Sequence, residues 1–236
     1  MESAELKKLP VHMGIIIDGN GRWAKKRGMP RSFGHGKGFS NLEKILKECY
    51  YTYNIPNISI YAFSTENWNR PKAEVDYLMD LFRKYLSKSF DKKYPDVRFN
   101  LIGDITRLPE DIASQVTALM ERTKDRTTHV LNMAVNYSGQ DELVNAFNLM
   151  INAGEKVASR DIIEKYLYTK GQPPMDFCIR TSGEQRISNF MLWQMAYAEL
   201  YFPTVAWPSF SKKDLLKALL EYQCRNRRFG EIKEEN

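Results

Sequence analysis

The residues of this chain best equipped for chemistry lie in Asp18-Gly19-Asn20-Gly21-Arg22. Asp18 offers hard carboxylate oxygens suited to a divalent cation, and Arg22 a guanidinium fork suited to a phosphate. Gly19 and Gly21 let the backbone turn tightly between them. Upstream, Ile15-Ile16-Ile17 reads as a short buried strand, three β-branched apolar residues in a row. Downstream, Trp23-Ala24-Lys25-Lys26 reads as the opening of a helix. A strand, a glycine turn and a helix N-terminus bring free N–H groups and the positive end of a helix dipole to one point. The stretch predicts a magnesium–phosphate corner at the carboxyl end of a parallel strand.

Two more stretches repeat the arrangement of an apolar strand running into polar residues. Ile58 to Phe63 leads into Ser64-Thr65-Glu66-Asn67-Trp68-Asn69-Arg70, and Asp176-Phe177-Cys178-Ile179 leads into Arg180-Thr181-Ser182-Gly183-Glu184-Gln185-Arg186. In a parallel sheet all carboxyl ends lie on one edge, where ligands bind. The clusters are therefore predicted to meet in one cleft holding carboxylates and several arginines. After Pro71 a helix carries Val75, Leu78, Met79, Leu81, Phe82, Tyr85, Leu86 and Phe90. That stripe is wider than one core contact requires. It is either a deeply buried helix or one with a flank lining an apolar cavity. A ligand with an anionic head and a greasy tail is what such a site describes.

The elements that must position these residues alternate. Further strands are predicted at Val97 to Ile102, Val130 to Val135 and Val205-Ala206-Trp207. Helices are predicted at Phe39 to Tyr53, Pro109 to Thr123, Asp141 to Val157, Asp161 to Tyr168, Phe190 to Leu200 and Lys212 to Arg225. With no repeat and no low-complexity linker, the pattern predicts one α/β domain over residues 1–236, a central and mainly parallel six-stranded sheet flanked by helices. Phe33-Gly34-His35-Gly36-Lys37-Gly38 looks like a phosphate loop but lacks the Gly-Lys-Ser/Thr ending, so nucleotide binding is not supported.

Bulk properties narrow the class. A chain of 236 residues, 43% hydrophobic and 27% charged, fills one well-packed core. No apolar run approaches the ~20 residues needed to span a bilayer, and Met1-Glu2-Ser3-Ala4-Glu5 is acidic and polar, unlike a secretory signal. Cys49, Cys178 and Cys224 form no CxxC pair, which points to reduced thiols in a cytosolic protein and away from zinc. The net charge of +6 gathers in two places, Lys25-Lys26-Arg27 with Arg31, and Arg225 with Arg227 and Arg228. Nucleic acid, an acidic membrane surface, a polyanionic small substrate or a merely solvated face would each fit.

Several long stretches in fixed order carry a resemblance. They are His12 to Ala24, Tyr61 to Pro71, Ile179 to Glu184, Arg186-Ile187-Ser188-Asn189-Phe190, Trp193-Gln194, Ala198-Glu199-Leu200-Tyr201-Phe202 and Trp207-Pro208. From Leu9 to Gly230 the chain resembles the cis-prenyltransferases, most closely the bacterial undecaprenyl diphosphate synthases. The resemblance implies magnesium-assisted condensation of isopentenyl diphosphate onto an allylic diphosphate such as farnesyl diphosphate. Each new double bond is cis, and the growing tail occupies an apolar tunnel. It implies a homodimer, a product that partitions to the membrane, and a cytoplasmic enzyme, without a transmembrane segment, working beside the inner membrane face. The product expected is about undecaprenyl in length, a lipid carrier for cell-wall polysaccharide; shorter-chain relatives share every motif quoted.

By the same resemblance Asp18 is the metal-linked carboxylate, joined by Glu199 from within the chain or across a subunit boundary. Gly19, Asn20, Gly21 and Arg22 bind the allylic diphosphate with Arg31, His35 and Arg70. Trp23 and Trp68 flank the substrate. Arg180, Arg186 and Ser188 hold the diphosphate of isopentenyl diphosphate, and Ser64, Thr65, Glu66 and Ile187 complete the substrate-binding set. Asn67 is the family's nominee for proton acceptor, although a neutral amide is better suited to orienting an oxygen. Glu66 and Glu184 are expected to orient loops and arginines. The ending Arg225-Asn226-Arg227-Arg228-Phe229-Gly230 resembles the family's C-terminal motif. Tyr137-Ser138-Gly139-Gln140 departs from the usual Tyr-Gly-Gly-Arg, and Ser182 replaces a frequent glycine.

Two rival readings follow from local chemistry. A strand running into Asp18-Gly19-Asn20 suggests an aspartyl-nucleophile phosphohydrolase, but Asn20 stands where such enzymes carry a second carboxylate. Nucleic-acid binding needs aromatics interleaved with cations on an exposed face, whereas the tryptophans sit in the cleft motifs. No nucleic-acid partner is expected.

Overall fold

The computed structural model describes residues 6–86 and 89–225. Met1 to Glu5 and the basic ending from Asn226, with Arg227 and Arg228, lie outside the described residues. The strands are β1 (His12–Ile16), β2 (Asn57–Ser64), β3 (Val97–Ile102), β4 (His129–Tyr137), β5 (Phe177–Arg180) and β6 (Glu199–Tyr201). The α-helices are α1 (Asn20–Lys25), α2 (Arg31–Lys47), α3 (Lys72–Tyr85), α4 (Ser89–Lys93), α5 (Glu110–Thr123), α6 (Gly139–Asn152), α7 (Arg160–Glu164) and α8 (Lys212–Gln223). The strands form one sheet in the order β3-β4-β2-β1-β5-β6, every pair parallel. The chain is thus a single α/β domain with helices on both faces.

Alternation along the strands divides the core. Met13 and Ile15, Ile58 and Ile60, Phe177 and Ile179 turn to one face, where they meet apolar residues of α2, α3, α5 and α8. Ile16, Tyr61 and Cys178 turn to the other, against Phe190, Met191 and Met195. Central β1 is buried at every position. Such uniform burial hides a strand's ends from sequence periodicity, and β1 begins at His12 rather than Ile15. His12 is wholly buried, its ring nitrogens meeting Ser59 Oγ at 2.7 Å and the Pro173 carbonyl at 2.9 Å.

Three expectations about elements are overturned. The glycine cluster is no loop, because α2 runs through Gly34, Gly36 and Gly38. A Cβ on Gly34 would stand 2.0 Å from the Asn20 carbonyl oxygen, and one on Gly38 2.1 Å from Asn20 Oδ1. These glycines let α2 lie directly against α1, which begins at Asn20 rather than Trp23. Phe190 to Leu200 is not a helix. Ser188, Asn189 and Met191 take left-handed backbone (φ 48°, 62° and 42°), and the segment folds as turns before joining the sheet as β6. Val205-Ala206-Trp207 is not the sixth strand. It crosses the strand ends instead, Val205 O accepting from Ser182 N at 2.8 Å and Trp207 N donating to Asp18 O at 3.0 Å. The helical pair after β4 is also shorter than its spacing predicts, Gly154 turning left-handed (φ 78°) just past α6.

Of the stripe on α3, Val75, Leu78, Met79, Phe82 and Tyr85 belong to the main core. The deeply buried reading accounts for most of it, and Leu78 also reaches the cleft.

Candidate active site

The carboxyl ends of β1, β2 and β5 open into one cleft of about 970 Å³. Its wall includes Asp18 to Arg22, Arg31, His35, Ser64, Glu66, Asn67, Arg70, Arg180 and Ser188, so the three polar clusters do meet. Beneath them Ile16, Ile17, Ala62, Phe63, Leu78 and Leu192 supply an apolar side.

Asp18 sits at the centre. Gly19 caps α1 with left-handed backbone (φ 96°) and its N–H donates to Asp18 Oδ1 at 2.5 Å. Arg180 Nη2 and Arg22 Nη2 donate to Asp18 Oδ2 at 3.0 and 3.2 Å. Burial raises the Asp18 pKa, but the hydrogen bonds from Arg180 and Gly19 and the charges of both arginines more than reverse it, so the net shift is downward and the carboxylate stays ionised. Thr181 fixes the backbone there, its hydroxyl donating to Asp18 O at 2.8 Å.

Two basic groups flank this carboxylate. On the β5 side Arg180, nearly buried, donates from Nη1 to Ser188 Oγ at 2.7 Å and to Arg186 O at 2.6 Å. Glu184 accepts from Arg22 at 2.5 Å and from Arg186 at 2.6 Å, orienting both as expected. Ser182 has φ 78°, a left-handed conformation that glycine adopts without steric cost. The loop carrying Ser188 is pinned to the start of α6. Gly139 N donates to Asn189 O at 2.7 Å, Gln140 N to Asn189 Oδ1 at 3.0 Å, and Asn189 Nδ2 to Ser138 Oγ at 2.8 Å. Gln140 takes part through its backbone N–H and through its side chain, Oε1 accepting from Asn189 Nδ2 at 3.4 Å.

On the β2 side Glu74 gathers the cations. Its carboxylate accepts from Arg31 Nε at 2.9 Å, meets His35 Nε2 at 3.0 Å and accepts from Arg70 Nη1 at 3.3 Å. Burial pushes Glu74 up, but these donors more than offset it and hold its pKa at about 2. Burial lowers His35 despite its acidic neighbour. Sequence reading overlooks Glu74, although Arg70-Pro71-Lys72-Ala73-Glu74 carries a signal: proline before a helix, an acid in its first turn, and an i,i+4 ion pair. Because folding lowers the pKa of Glu74 below its ordinary 4.5, its contribution to stability is complete above that value and is lost as pH falls towards about 2. In thermal melts, wild type is expected to exceed Glu74→Gln at neutral pH, with the gap closing through this acid window. A gap that stays constant to the bottom of the window would contradict that assignment.

Several expected site residues lie off the cleft wall. Trp23 stacks on Phe33 with centroids 6.2 Å apart and donates to Ser209 Oγ at 2.6 Å. Trp68 packs edge-on against Phe63 at 4.9 Å and donates to Asn136 Oδ1 at 2.8 Å. Thr65 lines a smaller neighbouring cavity. Arg186 is exposed beside Glu184, and Ile187 packs against the second core cluster. Asn67 closes a capping box with Ser64: its Oδ1 accepts from Ser64 N at 3.3 Å and its Nδ2 donates to Ser64 Oγ at 2.8 Å.

Glu199 is not brought to Asp18 within one chain. It lies on β6 rather than in a helix, in register with Phe177 and through it with Met13. That places it at the amino end of the sheet, roughly 15 Å along the strands from Asp18 at ~3.3 Å per residue. Its carboxylate instead accepts from Arg225 at 3.1 Å.

No group of three or more His, Cys, Asp or Glu side chains placed to hold a metal occurs among the described residues. The donors at hand, one ionised carboxylate in a cleft lined with arginines, fit a magnesium ion, which keeps several waters and takes one or two carboxylates together with substrate phosphates.

The parallel sheet thus gathers two groups of arginines around one carboxylate, above an apolar wall. Residues 16–230 match the prenyltransferase family profile described as undecaprenyl diphosphate synthase. The chain is 46% identical to an isoprenyl transferase of Clostridium tetani over 235 residues, covering 97% of this chain and 92% of that one. It is 47% identical over 234 residues to an isoprenyl transferase of Clostridium perfringens, with 96% and 92% covered. Among solved structures, lavandulyl diphosphate synthase from Lavandula x intermedia, in complex with dimethylallyl diphosphate, superposes with a TM-score of 0.88 at 35% identity, covering 94% of this chain and 99% of that one. The chain belongs to the cis-prenyltransferase (isoprenyl transferase) family.

Proposed function

We propose that this chain condenses isopentenyl diphosphate onto an allylic diphosphate, farnesyl diphosphate in the first instance, and repeats the step to make a polyprenyl diphosphate. The observation that carries the reading is the pair of arginine subsites facing each other across Asp18. Arg31, Arg70 and the first-turn N–H groups of α1 hold the allylic diphosphate, and Arg180 with Ser188 and Arg186 the diphosphate of isopentenyl diphosphate. Bound magnesium would neutralise the leaving diphosphate, with Asp18 as its protein ligand. The apolar wall shields the developing allylic cation from water. Asn67, a neutral amide bonded to Ser64 through both its oxygen and its nitrogen, is no base; it orients a substrate diphosphate oxygen, which accepts the departing proton.

Labelled isopentenyl diphosphate with farnesyl diphosphate and magnesium should yield labelled polyprenyl product. Phosphate release without it would instead favour the phosphohydrolase reading. We take the product to be about undecaprenyl in length, made in the cytoplasm for cell-wall polysaccharide and delivered to the inner membrane face. The likeness to a lavandulyl diphosphate synthase favours a second reading, a shorter-chain product. Ala62 faces the cleft from β2, so Ala62→Leu should shorten the product on reversed-phase chromatography. Unchanged length would remove Ala62 from the path of the tail.

The working unit in this reading is a homodimer. On α6, Val144, Phe147 and Ile151 are 57%, 42% and 70% exposed, at the i, i+3, i+7 spacing of one helix face. An unpartnered apolar stripe of that kind suits a self-complementary contact, and a second copy is what Glu199 would need to join a metal at Asp18. Phe147→Glu should shift the mass in light scattering from two chains to one; a wild type already of one-chain mass would end the dimer reading.

A further inference from the structure

The basic cluster at Lys25-Lys26-Arg27 is left unused by the diphosphate site. From Gly19 to Leu42 the chain contains no acidic residue. Arg22 and Arg31 of this stretch pair with acids in the cleft. Lys25, Lys26, Arg27 and Lys37 are exposed, and among the described residues none of the four is in an ion pair. They surround an apolar strip. Arg27 lies 4.1 Å from the Trp23 ring centroid, Trp23 stacks on Phe33, and Lys37 Nζ lies 5.5 Å from the Phe33 centroid. Met29, 44% exposed, stands at the turn between α1 and α2 beside Phe33, 38% exposed. Arg31 and His35 of α2 face the cleft; Phe33 and Lys37, each two residues further on, stand about 200° round the helix from them, so the strip lies on the side of α2 turned away from the cleft.

We propose that this strip is a docking surface for an anionic lipid bilayer. Unpaired cations supply attraction to acidic headgroups, and Trp23, Phe33 and Met29 supply the shallow apolar contact that interfacial residues make. Each ring already has another ring and a cation against it, which leaves little free ring face for base stacking and disfavours single-stranded nucleic acid. Resting on the condensation reading above, such a surface holds the enzyme beside the bilayer that receives a product too apolar for water.

The test is co-sedimentation of the full chain with vesicles of phosphatidylglycerol and phosphatidylcholine, against phosphatidylcholine alone. Because no substrate is present, failure here and failure of the condensation reading are told apart. Binding should require the anionic lipid and fall as salt is added. The double variant Lys25→Gln/Lys26→Gln should bind roughly 30-fold more weakly, and Met29→Ser should also bind more weakly, both keeping their condensation rate in detergent. Lys165→Gln/Lys170→Gln, the same charge change at exposed lysines elsewhere, should bind as wild type. The proposal is overturned by absence of binding to anionic vesicles, by equal loss in the two double variants, or by a single-stranded oligonucleotide that displaces the protein from the vesicles.

Discussion

Asp18→Ala and Asp18→Asn are each expected to lower condensation by roughly 10²–10³-fold or more while the protein still folds. The Asp18 carboxylate collects Gly19 N–H, Arg180 and Arg22 around one partly exposed side chain. None of these contacts holds two elements of the core together. Arg180 keeps Ser188 Oγ and the Arg186 carbonyl when Asp18 is gone, but the nearly buried guanidinium, whose Nε already has no acceptor, loses its one acidic partner among the described residues. The cost in stability is about 1.5–3 kcal/mol, that of lost charged hydrogen bonds. Activity loses more, because the ionised group that would hold the cation acts when negative charge builds on the leaving diphosphate. Asparagine keeps the shape and removes the charge, so it isolates the electrostatic part. Label incorporation measured beside circular-dichroism melts separates the two effects. Wild-type turnover in either variant would sink the assignment of Asp18.

What the sequence discloses of this site follows from one rule, that a parallel sheet collects its strand ends on one edge. Asp18, Ser64 and Arg180 lie far apart in the chain and meet because each closes a strand of the same sheet. The rule says nothing where local pattern and tertiary contact disagree. Phe190 to Leu200 has the apolar spacing of a helix, yet Asn189 is fixed by Ser138, Gly139 and Gln140 in left-handed backbone, and helix propensity is too weak to resist. With the helix goes the expected setting of Glu199, whose place on β6 turns on a register that no local window contains. The resemblance places Trp23 and Trp68 beside the substrate, and no local pattern discloses that their indole N–H groups bond Ser209 and Asn136. Glu74 shows the reverse: an ordinary first-turn acid becomes the common partner of Arg31, His35 and Arg70 only when α2 and α3 pack together.

The glycines of α2 supply the second large effect. Gly34→Ala is expected to destabilise the protein by about 1–3 kcal/mol, even though alanine is the better helix former by ~1 kcal/mol. Its new methyl would stand 2.0 Å from a backbone carbonyl, that of Asn20, and 3.1 Å from the Ala24 Cβ. A carbonyl fixed in α1 has no rotamer by which to withdraw, so the helices must separate. Asn20, Gly21 and Arg22 would then shift relative to Arg31 and His35, and condensation should fall along with stability. Gly36→Ala is the internal control. Its Cβ would meet only the Tyr77 hydroxyl, at 2.9 Å, the far end of a flexible side chain. There the gain in helix propensity should prevail, leaving stability unchanged or slightly raised. Chemical denaturation of the two variants decides between them: equal damage in both would mean that glycine flexibility, not the closeness of α1 to α2, is what the cluster provides.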